Sequence, residues 1–242
     1  MVHRNAFDLV RITAALAVLL SHGFALNGAW EPHVAPGVTL GSLAVYVFFA
    51  TSGYLVMQSW QRGPRPAAFL RKRALRNFPG LIAAVSFCAF VVGPLATRRP
   101  LGRAGFSLDQ FCRLGTPFRS GALLAAYRVR FRRPVLLGAA AVLVVALRTE
   151  AFLPLAWLGL AYVCVGIGQG TWPSLLRSDL SCGVCLYAFP VQQLVVQAGV
   201  AGLPLSIGLA AALTLALAAC SWRFIERPAL ACKPAHPAAG VV

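Results

Sequence analysis

Long apolar segments, separated by short stretches rich in arginine, constrain this chain more than any other feature of its sequence. Of its 242 residues, 59% are hydrophobic and only 12% are charged, which is too apolar for a soluble domain of this size. The apolar runs predict membrane-spanning helices near residues 7–27, 41–58, 79–97, 134–148, 151–169, 180–199 and 205–224. We therefore expect an all-α, multi-pass transmembrane helical bundle with about 7–8 spans.

The distribution of basic residues predicts the side of the membrane on which each loop lies. The stretch 59–78 is rich in Lys and Arg, whereas 28–40 carries neither. Because cytoplasmic loops are enriched in these residues, we expect both termini and 59–78 in the cytoplasm and 28–40 outside. Topology and anionic lipid headgroups then account for the formal charge of +16, and no nucleic-acid partner is expected.

The two ends of the chain carry little further structure in this interpretation. The start, MVHRNAFDLV, has a weak basic region and no A-x-A-like site after its apolar run, so we expect no cleaved signal peptide. The tail 232–242 is predicted to be disordered and cytoplasmic.

The middle of the chain conflicts with this topology. A third span ending near Thr97 would place 98–118 outside, although that stretch is rich in arginine. These residues are Arg98, Arg99, Arg103 and Arg113. Returning to the cytoplasm before Arg128 requires another crossing, and the apolar run available, GALLAAY, is too short for one. The sequence therefore predicts that a central block is missing or altered around 98–118.

Two ionisable side chains lie inside the first apolar segment, Arg11 and His22. On a helix that turns ~100° per residue they share a face and lie roughly 16 Å apart along it. Ionisable groups at membrane depth are costly and usually mark a functional path, so this pair could hold two parts of one long substrate. Alternatively, Arg11 snorkels to the interface and His22 caps the outer end.

Five short motifs follow one another along the chain. Arg11-x10-His22 is joined by FFATSGYL at 48–55, FLRKRALRNFP at 69–79, LSCGVCLYAFPVQQ at 180–193 and FIERP at 224–228. Their order resembles the membrane-bound acyltransferase-3 family, whose bacterial members O-acylate glycans and other surface or secreted molecules. The resemblance covers 5–95 well and 119–230 more loosely. It assigns 1–231 to an acyltransferase-3-like transmembrane domain that lacks central helices around 98–118.

The resemblance implies an acyltransferase of the bacterial inner membrane. Its donor would be acyl-CoA, usually acetyl-CoA, and its acceptor a hydroxyl of a carbohydrate or related molecule. His22 matches the family's histidine, and an imidazole can deprotonate a hydroxyl or carry an acyl group. Arg11, Arg73 and Arg76 match the family's arginines, and guanidinium groups suit the CoA phosphates. Asp8, one turn before Arg11, could orient it. No permanently bound cofactor or metal is implied.

Several of these residues also have a structural interpretation. The basic cluster 71–76 could anchor the topology on anionic lipid. Ser52 and Gly53 could allow close helix packing, and Tyr187 could bridge helices instead of contacting substrate.

Two further patterns are interpreted as structural from the start. The seven cysteines give no disulfide or zinc framework, and the CxxC at 182–185 is expected to serve helix packing. The Glu226-Arg227-Pro228 sequence is expected to end the last helix, because arginine favours a helix C-terminus and proline stops the turn.

Two other functions fit the sequence. The chain could be a truncated, non-catalytic remnant of the family, since its central helices are predicted to be missing. It could also be a small transporter or export component, because intramembrane Arg and His suit a permeation path. No inverted internal repeat supports the transporter.

Overall fold

The computed structural model describes residues 6–95, 108–170 and 180–231, and helices make up most of them. We number eight helices in chain order: α1 Phe7–Leu26, α2 Leu40–Gln61, α3 Pro66–Phe87, α4 Leu108–Ala126, α5 Arg133–Ala146, α6 Phe152–Gly168, α7 Ser181–Gln197 and α8 Leu203–Ser221. A short antiparallel hairpin, β1 (His33–Ala35) and β2 (Val38–Thr39), connects α1 to α2. The predicted all-α bundle is confirmed, and the predicted tail 232–242 lies outside the described residues.

Four of the described helical segments are long and apolar enough to cross a membrane. They are Phe7–Leu26, Leu40–Gln61, Pro66–Val92 and Leu203–Ala231. Two shorter apolar helices, Arg133–Ala146 and Phe152–Gly168, join them. Large apolar side chains such as Phe90, Val145 and Leu205 remain exposed. Exposed apolar faces on helices whose backbone groups are bonded internally suit contact with lipid, and the chain is a membrane protein.

The first helix lies at the centre of the bundle. α1 packs against α2, α6, α7 and α8. Its buried residues Ile12 and Ala15 lie in one apolar cluster with Val184 of α7 and Ala218 of α8. Small side chains such as Ala15 and Ala218 let the helices approach closely. Close packing is important in a membrane, because the hydrophobic effect does not drive helices together there. Residues on α1 are therefore held by four neighbours.

The third helix begins earlier than the sequence predicts. The apolar run predicts a span from residue 79, preceded by a basic loop over 59–78, whereas α3 begins at Pro66. Proline is well tolerated in the first turn of a helix, where its missing N–H would have no partner. The basic cluster 71–76 therefore lies on a helix and not in a loop, so its side chains have fixed directions.

A helix also forms where the sequence offers no span. α4 covers Leu108–Ala126 and includes the polar stretch upstream of GALLAAY. It is not among the described helices that are long and apolar enough to cross a membrane. Instead it packs on α2 and α6, and its Leu124 joins a buried cluster with Phe7 and Tyr54. The predicted loss of central family helices around 98–118 stays a prediction, and 96–107 lie outside the described residues.

The crossing of α2 and α4 depends on two glycines. A Cβ built on Gly53 would overlap the carbonyl oxygen of Phe118, and one built on Gly121 would overlap the carbonyl oxygen of Ala50. Backbones that approach this closely leave no room for a side chain at the contact. Gly53 therefore has a packing role, which is the structural alternative considered for it above.

Replacing Gly121 with alanine should destabilise the bundle, because the added methyl group would push the backbones of α2 and α4 apart. We expect a loss of about 1–3 kcal/mol in the free energy of unfolding, the usual range for overpacking. Thermal unfolding in detergent micelles measures it. Gly138→Ala is the matched control, since a Cβ there meets open space and alanine favours a helix. Equal stability of the two variants would contradict the close crossing.

Candidate functional site

A cavity of about 600 Å³ lies between α1, α2, α3, α4 and α7. Its cationic lining residues are Arg11, Arg62, Lys72, Arg73 and Arg76. Asp and Glu are absent from the described residues that line it. Clefts lined by charge of one sign concentrate ligands of the opposite sign. We call this space the cationic cavity, and its composition suits an anionic ligand.

Arg11 reaches the cationic cavity from the centre of the bundle. Its side chain is only 7% exposed, and its guanidinium carbon lies 5.0 Å from the centre of the Phe48 ring. Contact with an aromatic face stabilises a partly desolvated cation. Arg11 therefore lines an internal cavity and does not snorkel along a lipid-facing surface, which was the alternative for this residue.

Arg73 and Arg76 enter the cationic cavity from α3. Three residues apart on a helix, they lie on neighbouring positions of one face. Arg73 Nη2 donates a hydrogen bond to the carbonyl oxygen of Leu55 at 3.3 Å, and its guanidinium carbon lies 5.5 Å from the centre of the Phe69 ring. The charges of Arg11 and Arg76 both act on Arg73. Like charges gathered in one space repel each other, and an anion between them would relieve that repulsion.

Neutral side chains complete the lining of the cationic cavity. Ser52 lines it from α2, directly before the packed Gly53. Cys182 and Cys185 line it from α7. The CxxC was expected from the sequence to serve helix packing, but both cysteines also border the cavity. Because this helix was taken to be apolar, the sequence did not predict that one of its faces borders a polar cavity.

A smaller cavity of about 200 Å³ adjoins the first, and Arg76 lines both. Asp8 and Glu226 are the acidic residues in its lining. Glu226 is 5% exposed and accepts a hydrogen bond from Ser221 Oγ at 3.1 Å. A Cβ built on Gly80, one turn after Arg76, would lie 3.3 Å from Glu226 Oε1. Two carboxyl groups therefore lie behind an arginine of the cationic cavity, where they can hold its charge in place.

Glu226 is a residue that the motifs do not predict as part of a site. The helix does not end at Glu226-Arg227-Pro228 but continues through a π-helical turn, Trp222–Glu226, to Ala231. π-Helical turns are frequent at functional sites, because the extra residue redirects a side chain. An acidic residue next to a predicted membrane span was the available signal.

His22 lies near the other end of α1 and is not among the described residues that line the cationic cavity. Its ring meets that of Phe189 edge to face, with the ring centres 5.8 Å apart. The preceding residue, Ser21, is buried and donates a hydrogen bond to Glu31. Ser21 Oγ also accepts the backbone N–H of Gly41 at 2.8 Å. The structure thus separates the histidine from the three arginines along one helix.

The helix that carries the CxxC also supports α1 near His22. Gln192 of α7 is 2% exposed, and its Nε2 donates to the carbonyl oxygen of Leu19 at 2.6 Å. Tyr187, one helix turn earlier, is buried, and its ring centre lies 5.8 Å from that of Phe87 on α3. Tyr187 is not among the described residues that line the cationic cavity. It joins two helices, which is the structural role considered for it above.

Comparison with known proteins adds a family match. Residues 4–101 match a sequence family described as an acyltransferase domain. The chain is 40% identical over 89 residues to the O-acetyl transferase of Shigella phage Sf6. It is 41% identical over 106 residues to nodulation protein 10 of Rhizobium leguminosarum bv. viciae. No solved structure gives a significant match.

The two relatives are much longer than the region they share with this chain. The matches cover 37% and 38% of this chain, and each covers 27% of the relative. The chain therefore spans about a quarter of the length of the curated relatives that it matches. The family match extends across α1, α2 and α3 and so includes Arg11, His22, Arg73 and Arg76.

Thiol reagents that enter the cationic cavity should react with Cys185, which is exposed there. They should not react with Cys164, which is buried on α6. We expect a variant that keeps only Cys185 to react with a maleimide about tenfold faster, or more, than one that keeps only Cys164, because accessible thiols near cations react readily. Mass shift in native membranes measures the rates. Equal rates would contradict an accessible cavity.

Proposed function

We propose that the protein is a membrane O-acyltransferase with acyl-CoA as its donor, because residues 4–101 match a family described as an acyltransferase domain. The observation that carries the proposal is the gathering of Arg11, Arg73 and Arg76 around one cavity. All three lie within the matched region, in helices held by the packing of α1.

The donor would bind in the cationic cavity. Guanidinium groups form paired hydrogen bonds with phosphate oxygens, so Arg73 and Arg76 would bind the phosphates of CoA, and Arg11 would bind deeper along the donor. Ser52 would contribute a neutral hydrogen bond from α2. Asp8 would support Arg76 from the adjoining cavity and would orient Arg11, one helix turn away on α1. Gly53 and Tyr187 would keep the helices in place without touching the donor.

The acyl group would be transferred near His22. Its imidazole would take the proton of the acceptor hydroxyl while that oxygen attacks the thioester carbonyl. The new C–O bond replaces the C–S bond, and the CoA sulfur leaves with the proton returned by the imidazole. His22 lies roughly 16 Å along α1 from Arg11, so the extended arm of CoA would bridge the two ends.

The relatives and the family resemblance support a proposal for the acyl group and the acceptor. The Shigella phage Sf6 relative is named an O-acetyl transferase, which supports acetyl as the group transferred. A carbohydrate or related surface or secreted molecule is proposed as the acceptor. The membrane is proposed to be the bacterial inner membrane, with both termini and the arginine end facing the cytoplasm, where acyl-CoA is made, and His22 toward the outer side.

A non-catalytic remnant is the second candidate. The observation that favours it is the short match, which covers 27% of each relative. Such a chain would keep the cationic cavity and lack part of the acceptor site. CoA binding without transfer would identify it.

Replacing His22 with alanine should abolish transfer, because no other group would take the hydroxyl proton. We expect a loss of about 10²–10⁴-fold in labelled acetyl incorporated from acetyl-CoA into a cell-envelope extract. His33→Ala, which replaces an exposed histidine of the hairpin, is the matched control and should keep its activity. Equal activity of His22→Ala and the parent would refute the role of His22.

Exchanging Arg73 and Arg76 for lysine should weaken acyl-CoA binding by about tenfold or more, because lysine keeps the charge but cannot form paired hydrogen bonds. Labelled acyl-CoA bound to proteoliposomes measures the Kd. Arg65→Lys is the control, since Arg65 is exposed and not among the lining residues. Unchanged binding by the double variant would contradict guanidinium recognition of phosphate.

A further inference from the structure

The end of the bundle that carries His22 offers few charges. The four helices that pack against α1, namely α2, α6, α7 and α8, contain no Asp, Glu, Lys or Arg. An imidazole that takes a proton becomes a cation, and a partly buried cation without a counter-charge is strongly disfavoured. If His22 acts as a base, a negative group must come from outside these helices.

Glu31 supplies such a negative group, because its carboxylate contacts α1 itself. It follows α1 in the connection to the hairpin, and it is partly buried. Ser21, the residue before His22, donates a hydrogen bond to its Oε1, and a Cβ built on Gly41 would lie 3.3 Å from the same oxygen. The charge of Glu31 acts on the His22 ring. The carboxylate is thus fixed between Ser21, the residue before His22, and the start of α2.

We propose that Glu31 is a positioning residue for His22, whose carboxylate stabilises the imidazolium formed when His22 takes the proton of the acceptor hydroxyl. This inference rests on the proposed function. The carboxylate stays ionised throughout, while the proton moves from the hydroxyl to the imidazole and then to the sulfur of the departing CoA. In the catalytic triads of hydrolases, a buried carboxylate likewise orients the histidine base and stabilises the imidazolium.

A purely structural role for Glu31 would be to secure the start of α2. The side chain of Thr39 already caps that helix by accepting the backbone N–H of Ser42 at 3.1 Å. The next contact with the α2 backbone comes from Ser21, which accepts the N–H of Gly41, and not from Glu31 itself. Thr39→Ala therefore removes the cap of α2 and leaves the hydrogen bond that holds the Glu31 carboxylate, which separates the two roles.

The first test compares three variants with the parent in acetyl transfer. Glu31→Gln should lower kcat about 10- to 100-fold, with the KM values for donor and acceptor nearly unchanged, because the charge is lost and the shape kept. Glu31→Asp should recover most of kcat. Thr39→Ala should keep most of it. An unchanged kcat in Glu31→Gln, a loss confined to KM, or an equal loss of kcat in Thr39→Ala would overturn the proposal.

The second test does not require transfer. Diethyl pyrocarbonate modifies neutral imidazole, and a nearby carboxylate favours the protonated ring. Glu31→Gln should therefore speed the modification of His22 at pH values below the midpoint of its pH profile and shift that midpoint to lower pH. Mass spectrometry of the His22 peptide follows the reaction. An unchanged rate would overturn the proposal even in a chain that transfers nothing. A changed rate in a chain without transfer would count against the proposed function alone.

Discussion

The burial of the Arg11 guanidinium within an apolar bundle is the constraint on which the rest of the structure depends. A cation at that depth is strongly disfavoured unless aromatic or polar groups surround it. Phe48 supplies a ring face, and α3 brings Arg73 and Arg76 to the same space instead of sending them to the lipid surface. Water or a bound anion would lower the repulsion among these cations, so the packing that gathers the arginines also favours an anionic ligand.

The central helix separates two kinds of chemistry. At one end, α1 contributes Arg11 to a cavity of about 600 Å³ whose described charges are all positive. At the other, it places His22 among helices without charged residues, with Glu31 as the nearby carboxylate. A long substrate could bind its anionic group at the Arg11 end and place its reactive group at the His22 end. The transfer reaction proposed above uses both ends, and the close crossing of α2 on α4 keeps the arginine end closed on one side.

Much of this could be predicted from the sequence, because apolar length and motif order are local properties. The all-α class is confirmed, and residues 4–101 match a family described as an acyltransferase domain. The α4 helix could not be predicted from hydropathy, since its packing on α2 and α6 depends on tertiary contacts. The start of α3 at Pro66 was not predicted, because its basic residues made the segment resemble a cytoplasmic loop. Glu226 and the two thiols of the CxxC were missed because their exposure to a cavity depends on tertiary packing.

The central claim is that the cationic cavity recognises the phosphates of a CoA donor. The most direct test is to measure, in lipid nanodiscs, the Kd of CoA and of pantetheine, which has the same thiol arm and no phosphate. Our account predicts that CoA binds, that its affinity falls as salt is raised, and that pantetheine binds at least about tenfold more weakly. Equal affinity for the two molecules, independent of salt, would contradict it.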